Sequence, residues 1–298
     1  MVEILLATFN AEKYLPTLLD SIYNQDYSDF LILARDDCSK DGTINILKEY
    51  QEKYGKMKII SAEKNLGAKE NFRELIKNAD GDYIMFADCD DKWNKDKIST
   101  TLAGMQAAQC ALDAPILVHT DLSVADKNLN VIDKSFTRSQ GFNMKRNKFS
   151  DFLAQNTVTG CAMMINKKLL SLAKQMPKEA LMHDWWLSLV ASAFGKVVYV
   201  DTPTILYRQH EQNQVGAVKK DYVKDRKKTA KQRLINTYKQ ADAFAKTYGE
   251  ILPEKEKQIV TEYANCLNKG KIKRVASILK NGTTKQGILK TLAQIYYC

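Results

Sequence analysis

A chain of 298 residues, 45% hydrophobic and 27% charged, is long enough to bury a large core, and it holds no run of the about 18 apolar residues that a membrane-spanning helix requires. Its net charge of +10 is concentrated at one end: 19 Lys/Arg face 7 Asp/Glu from Lys219 onward, while the first 218 residues, with 26 basic and 28 acidic side chains, are nearly neutral. That asymmetry divides the chain into a body, 1–218, and a basic appendage, 219–298. The N-terminus "MVEILLATFN" lacks a basic leader region and a small-residue cleavage site, so it is expected to be a first strand and not a signal peptide. Six cysteines (38, 89, 110, 161, 266, 298) form no CxxC pair, which predicts free thiols in a reducing cytoplasm.

In chain order, "VEILLATF" has the length of a buried strand. Asn10 opens a segment whose Leu15, Leu18, Leu19 and Ile22 recur at helical spacing. "FLILARDD" predicts a second strand, and "SKDGTINILKEYQEKYG" a turn followed by a helix. "MKIISAE" and "KENFRELIKNADG" repeat the pattern, and "DYIMFADCDD" is a fourth strand. Three strand–helix units in succession predict an α/β fold, with a mostly parallel sheet flanked by helices. Further on, "APILVHTDLSV" predicts a strand, "FLAQNTVTGCAMMINKKLLSLA" a strand-like segment and then a helix, and "ALMHDWWLSLVASAFG" a helix. "KVVYVDTPTILYRQH" is expected to be a strand pair turning at Pro203. From about 221 the pattern is helical, broken at Gly249–Pro253 and Asn281–Gly282.

In open α/β sheets ligands bind beyond the carboxyl ends of the strands. Four polar groups fall there: Thr8 to Asn10, Arg35 to Asp37, Glu63 to Asn65 and Asp88 to Asp91. Neither a G-x-G-x-x-G after the first strand nor a G-x-x-x-x-G-K-[ST] is present, so nucleotide phosphates would need another counter-charge. "ADCDDKW" offers one. In extended chain Asp88 and Asp90 point to the same side and can converge on one cation, and hard carboxylate oxygens suit Mg²⁺ or Mn²⁺. A D-x-D triplet alone is common, and a solvated loop is the plain alternative. Its place directly behind a buried strand favours the metal.

Taken together, "LLATFNAEKYLPTLLDSI", "ARDDCSKDGT", "ADCDDKW", "TGCAMMI", "HDWW" and "YRQH" resemble the family 2 glycosyltransferases, closest to a bacterial rhamnosyltransferase-like branch. The resemblance spans roughly residues 1–215 and implies the GT-A fold, with a helical extension beyond it. It implies that Thr8, Phe9 and Asn10 line a nucleotide pocket, and that Asp37, with Asp36 beside it, holds the base or ribose. Where the family has Gly or another small residue, this chain has Cys38. Asp88 and Asp90 match the family's D-x-D, and His210 corresponds to a histidine that completes the metal or diphosphate site. Asp184 corresponds to the general base that deprotonates an acceptor hydroxyl during an inverting transfer, with Trp185 and Trp186 as packing residues or walls of the sugar pocket. Arg208 could pair with phosphate through its fork. Gly160 could let backbone approach donor or acceptor, or mark a bulge before a strand. His119 and Asp121 are weaker candidates beside the donor sugar, and His183 is one for a group that supports the site from behind.

The function so implied is a metal-dependent sugar transfer. Its donor is a nucleotide sugar, dTDP-L-rhamnose or another such as UDP-glucose or UDP-galactose, and its acceptor is a polyprenyl-diphosphate-linked glycan of a cell-surface polysaccharide. A nucleotidyltransferase would want a Gly-rich basic loop where "ATFNAEKY" stands, and a non-catalytic binding module would not need Asp88, Asp90 and Asp184 together. The basic helices of the tail have apolar faces, which fits peripheral attachment to an anionic membrane surface at the inner face of the plasma membrane. A helical cap or a homo-oligomer contact is the other use of such helices. No RNP, helix-turn-helix or zinc pattern supports nucleic acid binding.

Overall fold

The computed structural model describes residues 1–211 and 226–298. Its first half is built as the apolar runs dictate. Strands β1 (Val2–Thr8), β2 (Phe30–Asp36), β3 (Met57–Ile60) and β4 (Tyr83–Asp88) alternate with helices α1 (Leu15–Tyr23), α2 (Thr43–Tyr54) and α3 (Ala68–Asn78), and the four strands pair in parallel. Then come β5 (Lys92–Trp93), α4 (Lys97–Ala111), β6 (Ile116–Ala125), β7 (Val131–Asp133), α5 (Phe136–Ser139), α6 (Phe149–Ala154), β8 (Met163–Asn166), α7 (Lys167–Ala173), α8 (His183–Phe194) and β9 (Lys196–Arg208). Among the described residues one mixed sheet runs β3-β2-β1-β4-β8-β6-β9-β5, with β7 paired to β6. Strand β8 is antiparallel to both its neighbours, and β6 and β9 are parallel.

Alternation along β1 divides the core. Leu5 and Ala7 face one layer, shared with α3, α6, α7 and α8; Val2, Ile4 and Leu6 face the other, with α1, α2 and α4. Of the helices that follow, α9 (Arg226–Tyr248), α10 (Glu254–Ala264) and α11 (Lys271–Lys280) join the first layer, while α12 (Ile288–Tyr297) reaches it only through Cys298 at its end. Phe244 packs on Trp186 and Phe149 at ring distances of 5.2 and 5.4 Å, and Tyr248 lies 5.9 Å from Trp186. One apolar core therefore serves the sheet and the C-terminal helices. The 218/219 boundary read from the charge lies outside the described residues.

Several local expectations are corrected. "KVVYVDTPTILYRQH" is one strand to Arg208, not a pair. Thr120 pairs with Val200 but Asp121 with Pro203, so the strand absorbs the proline, which cannot donate to a ladder, where its register slips. "FLA" is helical in α6, and the strand begins only at Met163. α1 starts at Leu15 with a proline in its first turn, five residues after Asn10, whose φ of 48° is left-handed.

Candidate active site

The strand register assembles the site. Thr8 lies opposite Asp36 across β1 and β2, and Ala7 opposite Asp88 across β1 and β4, so three loops leave the sheet side by side. In the first, the Thr8 hydroxyl donates to Asp36 Oδ1 (2.9 Å), and Ser39 donates to the same carboxylate through its backbone N–H (2.8 Å) and its hydroxyl (2.5 Å). Asn10 N–H donates to Ser39 Oγ, and Asn10 Oδ1 accepts from Lys40 N–H. Phe9 stands nearly half exposed beside this turn.

Asp37 is tied into the fold. It is buried, and its carboxylate accepts from Arg35 (3.0 Å), from Leu66 N–H (2.9 Å) and from Gly67 N–H (2.7 Å). Arg35 in turn donates to Asn71. Asp37 pins the 61–67 loop to the end of β2, and Asp36 is the carboxylate on the Thr8 side. Cys38 follows with φ of 64°, a left-handed conformation that suits glycine. Cys38→Gly is expected to leave stability unchanged or raise it by up to about 1 kcal/mol in a urea titration, since relief of strain competes with a more flexible unfolded chain.

The acidic cluster at the end of β4 is not a solvated loop. Asp88, Asp91 and the thiol of Cys161 bring ligand atoms within 4.8 Å of one another, and Asp91 and Cys161 are fully buried. Burial first, then the charges of Asp90 and Asp184, push Asp88 up to about 7, and burial with its acidic neighbours pushes Asp91 well above the usual carboxylate range. Burial likewise raises the Cys161 thiol well above its ordinary value, so it stays protonated and is a poor ligand for a hard cation. Asp91 Oδ1 accepts from Arg208 N–H (3.0 Å), and its Oδ2 makes no hydrogen bond among the described residues. Of the three acidic side chains, Asp88 and Asp91 are the carboxylates that this grouping brings together, at a spacing that hard divalent cations accept.

Asp90 Oδ2 lies 2.8 Å from His210 Nε2, so the distant histidine is brought to the D-x-D. Tyr14 stacks on His210 at 4.8 Å and carries the Arg208 guanidinium 4.5 Å above its ring. Arg208 is buried, and its fork serves backbone instead of facing outward as a phosphate clamp would: Nε donates to Asp90 O (2.6 Å) and Nη1 to Lys127 O (2.7 Å). It fixes the loop that presents Asp90.

Asp184 occupies the first turn of α8, where the helix dipole favours its ionised form. Burial dominates and pushes it up to about 6, against hydrogen bonds from the Trp185 N–H (2.6 Å), the Asn156 side chain and the Gly160 backbone. Gly160 has a local reason. A Cβ there would come within 2.7 Å of His183 Nε2, so glycine lets the start of α8 close onto the 156–160 loop. His183 is buried between Phe72 (4.0 Å) and Phe86 (5.1 Å), and burial lowers it to about 3, so the ring is neutral. Trp186 is core, and Trp185 donates its indole N–H to Phe152 O. His119 and Asp121 also do structural work: His119 lies 5.2 Å from the Tyr199 ring, and Asp121 accepts from Leu122, Ser135 and Thr137.

Two contributors escaped the sequence reading. Lys97 opens α4 fully buried, with Nζ 4.6 Å above the Trp93 ring, and burial lowers it to about 8. Its ammonium makes no hydrogen bond among the described residues. Tyr14, the floor under His210 and Arg208, is the other. Both lie close in sequence to motifs already singled out, "ADCDDKW" and "ATFN", and that proximity was the available signal.

Comparison with known proteins agrees with this architecture. The family model described as glycosyl transferase family 2 matches residues 3–172. The dTDP-rhamnosyl transferase RfbG of Shigella flexneri is 34% identical over 71% of this chain and 74% of its own length. TuaG of Bacillus subtilis (strain 168), named for teichuronic acid biosynthesis, is 28% identical over 65% of this chain and 73% of its own. Among solved structures, S. aureus TarS in complex with UDP-GlcNAc superposes with a TM-score of 0.58 at 16% identity, covering 94% of this chain and 80% of that one. The mannosyltransferase PcManGT from Pyrobaculum calidifontis, in complex with GDP-Man and Mn²⁺, gives 0.58 at 16% identity over 99% and 78%. The chain thus belongs to glycosyl transferase family 2 and is a glycosyltransferase of the GT-A fold.

Proposed function

We propose that this enzyme transfers L-rhamnose from dTDP-rhamnose, with inversion, to a polyprenyl-diphosphate-linked precursor of a surface polysaccharide, working at the cytoplasmic face of the plasma membrane. The donor follows the relative named a dTDP-rhamnosyl transferase, which matches most of this chain. One observation carries the chemistry: Asp184 packs against Gly160, whose neighbour Cys161 has its sulfur within 4.8 Å of the Asp88 and Asp91 carboxylates. A base and the carboxylates suited to a diphosphate-bound cation thus share one cluster.

Thr8, Phe9, Asn10 and Asp36 form the nucleotide side, with Phe9 offering a face to the base. Asp88 and Asp90, with His210 beside Asp90, would hold Mg²⁺ or Mn²⁺, which when bound supplies positive charge for the diphosphate leaving group. Asp184 accepts the proton of the acceptor hydroxyl as its oxygen bonds to the anomeric carbon. The bond from that carbon to the diphosphate oxygen breaks, and its electron pair leaves with the nucleotide. Arg208, Tyr14 and Lys97 keep the acidic loop in place.

The donor assignment is tested by offering the purified chain a panel of nucleotide sugars with lipid-linked acceptor. Release of dTDP from dTDP-rhamnose well ahead of any other nucleoside diphosphate is the expected result. Preference for a UDP-sugar would overturn the donor while leaving the transferase reading intact.

A further inference from the structure

The last helix is turned inside out. Helix α12 directs its polar residues inward: Gln294 donates to Thr283 O (2.9 Å) and accepts from Lys285 N–H (2.8 Å), and Thr291 donates to Lys285 O (2.7 Å). Its opposite face carries Ile288, Leu289, Leu292 and Tyr296, all in solvent, with Ile288 80% and Leu289 82% exposed. On α11, Ile272, 87% exposed, and Leu279 lie outward one above the other, two turns apart. Lys271 joins the helices, with Nζ 5.2 Å above the Tyr296 ring and donating to Tyr296 O at 3.0 Å. A helix on a water-soluble surface shows water its polar face, and a contiguous exposed apolar patch marks an interaction site.

Charge indicates what covers it. Residues 263–298 contain seven Lys/Arg (Lys269, Lys271, Lys273, Arg274, Lys280, Lys285 and Lys290) and no Asp or Glu. They crowd one another: after burial, the charges of Arg233 and Lys290 lower the pKa of Lys285. Lys271, Lys273 and Lys290 are exposed beside the apolar residues. A second copy of the chain, packed about a two-fold axis, would set this cationic surface against itself. An anionic surface is complementary to it. No described helix is long and apolar enough to cross a bilayer, so the helices would lie on one.

We propose that α11 and α12 dock the enzyme on an anionic lipid bilayer, with Ile272, Ile288, Leu289 and Leu292 entering the boundary between headgroups and acyl chains, Tyr296 at the interface, and Lys271, Lys273 and Lys290 on the headgroups. This deepens the membrane location proposed above and rests on it, but does not depend on the donor or acceptor.

The test is sedimentation of the full chain with vesicles of phosphatidylglycerol mixed with phosphatidylcholine, or of phosphatidylcholine alone, at low and high salt. Two double variants accompany it, Leu289→Asn with Leu292→Asn and Lys273→Glu with Lys290→Glu. These side chains are exposed, so circular dichroism should match wild type, and donor hydrolysis measured without lipid should be unchanged. Wild type is expected to pellet with the anionic vesicles only, less so in high salt, and each double variant to bind at least about tenfold more weakly. Wild type left in the supernatant with anionic vesicles would overturn the proposal. So would binding that neither variant weakens, or a dimer in light scattering that the leucine variant dissolves while vesicle binding is absent. Vesicle binding without any sugar transfer would spare the docking surface and sink the proposed reaction.

Discussion

Asp184→Asn is expected to lower kcat by about a hundred- to ten-thousand-fold while leaving KM for the donor nearly unchanged. The substitution keeps the shape of the side chain at the start of α8, and an amide oxygen can still accept from Trp185 N–H, so the fold should persist. Only the capacity to take a proton is removed. The pH dependence has a definite sign. Burial raises Asp184 to about 6 and the base works ionised, so the wild-type rate should climb as pH rises through about 6 and level off above it. The residual rate of the variant should lack that limb. A variant with wild-type kcat, or a wild-type rate that falls through the same range, would take the base role from Asp184.

The second large effect is on stability. Asp37→Ala should cost about 3–5 kcal/mol, read as a fall in the urea midpoint, because it strands a buried guanidinium and two loop amides at once. Asp37→Asn should cost less, since the amide oxygen can still accept one of those donors. An Asp37→Ala protein that melts like wild type but has lost donor affinity would reverse the assignment and return Asp37 to the nucleotide.

What the sequence displays and what it hides differ in kind. Strands β1 to β4 were legible because each is a short apolar run, and the site loops were legible because they follow the ends of those runs. Helix α4 was not. Its buried stripe includes Lys97 and Thr101 as well as Ile98, Leu102 and Met105, and polar residues in the stripe defeat a search for apolar periodicity. Roles were harder than positions. Asp36 and Asp37 are adjacent and chemically identical, and only the approach of Arg35 and the 66–67 amides assigns one to structure. Gly160 was open between a close approach to donor or acceptor and a bulge before a strand, and what the sequence hid is the room it makes for His183, 23 residues away. The tail was read correctly as helical and basic, yet its burial pattern was invisible, because a helix with its apolar face outward has the same periodicity as one with that face inward.

The most direct test of the central claim is release of nucleoside diphosphate from the preferred donor, measured with Mg²⁺ or Mn²⁺, with EDTA, and with Asp90→Ala. Asp90 faces His210 at the rim of the cluster, so its loss should remove the cation site without disturbing the buried Asp91–Arg208 contact. Release that requires the divalent ion, is abolished by EDTA and restored by added metal, and is lost in a folded Asp90→Ala protein is the predicted result. Release that continues undiminished in EDTA and in Asp90→Ala would contradict it, and the acidic cluster would then serve the fold and not the transfer.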